Sequence, residues 1–76
     1  MSADVSPQVR MANDIAIQFA HLPSRQAARE VAHHIKMFWD PRMRAELDRL
    51  ADSPPLGMDP LALEAARILR NADAAP

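Results

Sequence analysis

The chain has 76 residues, which allows one domain in which only about 60% of the unfolded surface can be buried, so its stability is expected to be marginal. The net charge of −1 and the pI of about 6.2 argue against a main role in binding nucleic acids or anionic membranes. The absence of cysteine excludes disulfides, thiol nucleophiles and iron–sulfur clusters ligated by this chain.

Proline indicates where the helices begin. It follows a good capping residue at Ser6-Pro7, Asp40-Pro41 and Asp59-Pro60. The Ser or Asp side chain can accept hydrogen bonds from free first-turn N–H groups, and proline fits the first helical position because its missing N–H has no partner there. With one glycine and many Ala, Leu, Arg, Glu and Met residues, the chain favours helix throughout.

The first two helices are predicted from about Pro7 to Ala20 and from Arg25 to about Trp39, with Ser24 capping the second. Each has apolar residues three or four positions apart, which is typical of an amphipathic helix. The predicted inward positions are Val9, Ala12, Ile15, Ala16 and Phe19 in the first helix, and Ala28, Val31, Ala32, Ile35, Phe38 and Trp39 in the second.

A third helix is predicted from Pro41 to about Ala51 and a fourth from Pro60 to about Asn71, separated by a proline-containing and glycine-containing loop at residues 52–58. The predicted inward positions are Met43, Leu47, Leu50 and Ala51, then Leu61, Ala65, Ile68 and Leu69. The expected fold is all-α: one domain over residues 1–76, a small compact bundle of about four short helices. Its core would span about residues 7–70, with flexible tails at both ends.

Catalytic and metal sites are poorly supported. Glu30 and His33 have the spacing of a di-iron ligand pair, but a second such pair is missing, and only a symmetric dimer could supply it. The serines lie in the N-terminal tail, at caps or in the loop, where capping and turn roles are commoner than nucleophilic ones. We therefore expect no metal, no catalytic residue and no enzymatic activity in this chain.

A block of aromatic and basic residues around the break at Asp40-Pro41 is the best candidate for a binding surface. Trp, Arg and Met are enriched in protein interfaces, which makes this a predicted partner-binding site. Its predicted residues are Lys36, Trp39, Arg42, Met43 and Arg44. Phe38 is expected in the core, while the position of Trp39 is left open between core and interface.

The same block permits a second interpretation, in which the second and third helices form a helix-turn-helix that binds DNA. Acidic residues lie among its cations at Asp40, Glu46 and Asp48, and the block lacks glycine-rich or further basic support. A protein partner is therefore the preferred interpretation.

The beginning of the chain lacks the features of a secretory signal, and no run is apolar enough to span a membrane, so a cytoplasmic protein without membrane contact is expected.

Three motifs resemble a known family. They are Met11-Ala12-Asn13-Asp14-Ile15-Ala16, the block from Val31 to Arg44 that contains Phe38-Trp39-Asp40-Pro41-Arg42-Met43-Arg44, and Leu56-Gly57-Met58-Asp59-Pro60-Leu61 followed by Ala65-Ala66. Together they resemble the delta subunit of the bacterial NAD-dependent, molybdenum-containing formate dehydrogenase, over about Met11 to Ile68. The histidine pair at 33–34 departs from the family pattern, so no role is assigned to either histidine.

The resemblance implies a non-catalytic, cofactor-free subunit of a cytoplasmic enzyme that oxidises formate to carbon dioxide and reduces NAD. In such enzymes the larger subunits hold the molybdopterin guanine dinucleotide cofactor, iron–sulfur clusters and FMN. The implied partner is the catalytic subunit, which this chain would either stabilise permanently or assist transiently during cofactor insertion. For the isolated chain we also expect that a homodimer can form through the surface meant for the partner.

Overall fold

The computed structural model describes residues 6–74, which form four α-helices and no strand. Helix α1 is Pro7–Phe19, α2 is Ser24–Phe38, α3 is Pro41–Asp52 and α4 is Pro60–Ala74. The predicted all-α bundle is therefore confirmed. Helix α4 runs through much of the stretch predicted as a C-terminal tail, while residues 1–5, 75 and 76 lie outside the described part of the chain.

Local capping chemistry determines three of the four helix starts, as the sequence predicts. Ser6 Oγ accepts from the Val9 N–H at 3.3 Å, and Asp40 Oδ1 accepts from the Met43 N–H at 2.9 Å. Before α4, Asp59 Oδ1 accepts from the Leu61 N–H at 2.8 Å. Each capping residue is followed by a proline at the first helical position.

The start of α2 differs from the prediction. Ser24 is not a cap but the first helical residue, and Pro23 precedes it without any side-chain capping bond. The Pro23 carbonyl oxygen accepts from the Ala27 N–H at 2.8 Å, which closes the first turn through the backbone alone. Pro23 can take this position because a flanking residue contributes only its carbonyl to the helix, and proline retains that group.

The core is small and rich in alanine. Helices α1, α2 and α4 pack against one another, and α3 packs on α4 and α1. The largest fully buried side chains are Val9, Val31, Ile35 and Leu47. Around them lie alanines that let the helix backbones approach closely, namely Ala12, Ala16, Ala32, Ala62, Ala65 and Ala66. This apolar content agrees with the marginal stability expected of a short chain.

Phe38, the last residue of α2, and Trp39, which follows it, differ sharply in burial. Trp39 belongs to the core with 7% of its surface exposed, whereas Phe38 is 73% exposed, so the prediction that Phe38 points inward is wrong. Helix α2 ends at Phe38, and Trp39 adopts extended backbone angles of φ −93° and ψ 143°. Helical geometry therefore no longer governs the direction of the Trp39 side chain, which enters the core as the chain turns.

The exposure of Phe38 follows from the path of α3. After Asp40-Pro41 the chain directs α3 against α4 and α1, and α3 makes only marginal contact with α2. No neighbouring helix consequently covers the flank of α2 that carries Phe38 at its last turn. A pattern of apolar spacing cannot show this, because it does not say where the partner helices end.

Candidate partner-binding surface

The surface where α2 ends and α3 begins, called here the α2–α3 corner, consists of Lys36, Met37, Phe38 and Arg42. All four side chains are exposed, and Met37 retains 63% of its surface. They lie near one another in the chain, on either side of the short connection through Trp39 and Asp40. The corner thus combines two large apolar side chains with two cations.

The structure distributes the predicted partner-binding residues unevenly over this region. Lys36 and Arg42 are exposed, Met43 and Arg44 are half-buried, and Trp39 is buried. Trp39 therefore packs beneath the corner as part of the core and does not form its outer face.

Sequence reasoning missed Met37 and Phe38 as exposed residues. Met37 could have been identified, because it lies two positions after the buried Ile35 and thus about 200° away around the helix. Phe38 carried no such signal, since its spacing from Val31 and Ile35 is that of an inward position. Its exposure depends on the tertiary path of α3.

The exposed Phe38 ring is packed against a neighbour on its own helix. The rings of His34 and Phe38, one turn apart, have centroids separated by 4.7 Å with an interplanar angle of 38°. Aromatic side chains four residues apart on a helix stabilise each other in this way. The contact restricts the orientations open to Phe38 before any partner arrives.

Charge at the corner is dominated by Lys36 and Arg42. Among the described residues, neither forms a hydrogen bond or an ion pair. The nearby Asp40 carboxylate caps α3 through its bond to the Met43 N–H and retains its negative charge, so this part of the chain has two cations and one acid. The outer face of the corner is therefore locally basic although the whole chain has a net charge of −1.

The remaining acids of α3 pair with arginines elsewhere. Glu46 accepts from Arg49 Nε at 3.1 Å, and this hydrogen bond lowers the pKa of Glu46 while raising that of Arg49. Arg70 of α4 bonds Asp48 at 2.7 Å and Asp52 at 2.8 Å, and these bonds raise the pKa of Arg70. The Arg70 contacts join the exposed sides of α3 and α4.

Two open depressions lie between pairs of helices. One, of about 230 Å³, lies between α3 and α4 and is bordered by Arg44, Asp48 and Arg70. The other, of about 500 Å³, lies between the first halves of α2 and α4, and its lining includes the polar residues Ser24, Asp59 and Glu64. The Asp59 carboxylate caps α4 by accepting from the Leu61 N–H.

Among the side chains that the structure describes, no three His, Asp or Glu residues come close enough to hold a metal ion. Glu30 and His33, the predicted candidates for a ligand pair, are both exposed on α2. None of the four described helices is long and apolar enough to cross a lipid bilayer.

The sequence of this chain matches a known protein family. No curated protein and no solved structure matches the chain. The family model described as NADH-dependent formate dehydrogenase delta subunit FdsD matches residues 8–66, which cover α1, α2, α3 and the first half of α4. This match spans well over half of the 76 residues and confirms the resemblance carried by the three sequence motifs. The chain belongs to the family of the delta subunit of NADH-dependent formate dehydrogenase.

Proposed function

We propose that this chain is a non-catalytic accessory subunit that binds and stabilises the large molybdenum-containing catalytic subunit of a cytoplasmic, NAD-dependent formate dehydrogenase. Family membership supports the complex to which it belongs. The observation that supports binding is the exposed apolar pair Met37 and Phe38 on a chain with so small a core. Exposed apolar side chains next to cations are typical of surfaces that a partner covers.

In this proposal the predicted binding residues have different roles. Lys36 and Arg42 contact the catalytic subunit directly, and the half-buried Met43 and Arg44 contribute at the edge. Trp39 stabilises the corner from within, because it fixes the position of the chain between α2 and α3. Met37 and Phe38 supply the apolar contact that the sequence assigned to Trp39.

The test is co-purification with a tagged catalytic subunit after co-expression of the two chains. We expect the double variant Arg42→Ala/Arg44→Ala to be recovered at a much lower yield than the wild-type chain. Arg67→Ala, which changes an exposed arginine on α4, is the matched control and should be recovered normally. Recovery of the double variant at wild-type yield would show that this surface does not bind the catalytic subunit.

The sequence also allowed a transient maturation factor that assists insertion of the molybdenum cofactor. The stoichiometry of the purified active enzyme separates the two roles. We expect one copy of this chain per catalytic subunit in the active complex. An active, fully loaded enzyme that lacks this chain would favour the maturation role instead.

The third alternative was a small DNA-binding protein with a helix-turn-helix. We expect no nucleic-acid partner, because the chain as a whole is not basic. A gel-shift assay at low and high salt checks this, since binding through phosphate contacts weakens steeply as salt is raised. Salt-sensitive binding to a duplex would support the DNA-binding alternative.

A further inference from the structure

We infer that the α2–α3 corner receives an acidic segment of the catalytic subunit, one that places an apolar side chain on Met37 and Phe38 and carboxylates against Lys36 and Arg42. This inference rests on the proposed function and specifies the chemistry of the surface that the partner must present. It is carried by two properties of the corner: an apolar ring that is already packed on a neighbour, and cations that form no ion pair with any residue the structure describes.

The apolar part of the corner is pre-organised. Phe38 is 73% exposed, yet its ring packs on His34 with a centroid separation of 4.7 Å. Immobilising a free aromatic side chain costs conformational entropy on binding, and a ring that is already held avoids part of that cost. Phe38 therefore offers a partly ordered platform for an apolar anchor of the partner, and the adjacent Met37 adds a second exposed apolar side chain.

The charges on the platform select an acidic occupant. Lys36 precedes the apolar pair in the chain and Arg42 follows the turn into α3, and neither forms an ion pair among the described residues. Carboxylates on the partner would meet these two cations against the single carboxylate of Asp40, which caps α3. Complementary charges around an apolar contact set specificity and speed association, and their effect weakens with added salt.

The same charges disfavour a second copy of this chain on the corner. A two-fold symmetric dimer would bring the corner of one copy against the corner of the other, since such interfaces use the same patch on both subunits. Lys36 and Arg42 would then face like charges. The homodimer predicted from the sequence thus meets electrostatic repulsion at the very surface where it was expected.

The chain contains a single lysine, Lys36, which makes a direct experiment possible. A zero-length carbodiimide couples a lysine amine to a carboxylate only where the two are in contact. We would treat the purified complex of this chain with the catalytic subunit and locate the cross-links by mass spectrometry. The expected result is an amide bond between Lys36 and an Asp or Glu of the catalytic subunit.

Matched variants test the charge and the platform separately. Lys36→Arg preserves the charge and should bind as wild type while losing the cross-link. Lys36→Glu should weaken binding at least tenfold at low salt, and this difference should shrink as salt is raised. Phe38→Ala should weaken binding about tenfold or more, whereas Leu56→Ala should leave it unchanged although Leu56 is 98% exposed on another surface.

The outcomes distinguish failure of this inference from failure of the proposed function. If the wild-type chain does not associate with the catalytic subunit at all, the proposed function is wrong. If the complex forms but Lys36 does not cross-link and Lys36→Glu binds normally, the acidic occupant is wrong while the subunit role stands. Salt-sensitive binding of the free chain to single-stranded DNA, or a stable dimer cross-linked through Lys36, would also contradict the inference that an acidic segment occupies the corner.

Discussion

Asn13 of α1 and Gly57 of the loop before α4 lie 44 positions apart and are joined by a 2.8 Å hydrogen bond from the Asn13 side-chain amide to the Gly57 carbonyl oxygen. The side-chain oxygen Oδ1 of Asn13 in turn accepts from the backbone N–H of Asp59, also at 2.8 Å. One side chain thus fixes both ends of the short stretch that leads into α4. This contact connects two of the three family motifs, and it positions the residue that caps α4.

Replacing Asn13 by Ala should destabilise the fold. The change removes one donor and one acceptor and leaves the part-buried Asp59 N–H without its partner, which costs about 1–3 kcal/mol. Urea unfolding followed by circular dichroism measures the difference. Asp14→Ala, on the exposed side of the same helix, is the control and should shift stability by no more than about 0.5 kcal/mol. Equal effects of the two variants would mean that the loop does not depend on Asn13.

Gly57 should be sensitive to any side chain. Its φ of 93° lies in the region that favours glycine, and the turn from Pro55 to Met58 closes through a 3.2 Å backbone hydrogen bond. Gly57→Ala should therefore cost about 1–2 kcal/mol in unfolding free energy. Leu56→Ala, one position earlier in the same turn, should be nearly neutral because Leu56 is exposed. An unchanged unfolding midpoint for Gly57→Ala would show that the turn adopts another conformation at no cost.

Trp39 and Phe38 should respond in opposite ways to truncation in the isolated chain. Trp39→Ala opens a cavity in a small core and should cost about 3–5 kcal/mol, enough to unfold much of the population. Phe38→Ala removes a mostly exposed ring and should cost no more than about 0.5 kcal/mol. Thermal unfolding compares the two, and the emission of the single tryptophan provides a second readout, with a blue-shifted maximum expected in the folded chain. A larger loss for Phe38→Ala than for Trp39→Ala would contradict the positions described above.

The Glu46–Arg49 pair should contribute a small, pH-dependent stabilisation. The hydrogen bond from Arg49 lowers the folded-state pKa of Glu46 below its ordinary value of 4.5. The contribution is consequently complete above pH 4.5 and is lost as the pH falls through the lower folded-state pKa. Urea midpoints of wild type and Glu46→Gln should differ slightly at pH 7 and converge as the solution is acidified. A difference that grows on acidification would reverse this assignment.

At the α2–α3 corner the sequence predicted the exposure of some residues correctly and of others wrongly. The sequence predicted a binding region at the Asp40-Pro41 break and assigned Lys36 and Arg42 to it, and both are exposed. It wrongly placed Phe38 in the core and left Trp39 open between core and interface, because apolar spacing assumes that a helix continues and that a neighbour covers it along its whole length. Helix α2 ends one residue before Trp39, and α3 leaves the flank of Phe38 open.

The sequence alone determined the features that depend on residues close together in the chain. Ser6-Pro7, Asp40-Pro41 and Asp59-Pro60 mark helix starts because capping is a local exchange between a side chain and backbone N–H groups a few residues ahead. Only the tertiary structure decided the contacts between distant residues. The Asn13 bonds to the loop before α4, and the burial of Trp39 beneath an exposed Phe38, depend on how the four helices pack together, and no spacing within one helix encodes that arrangement.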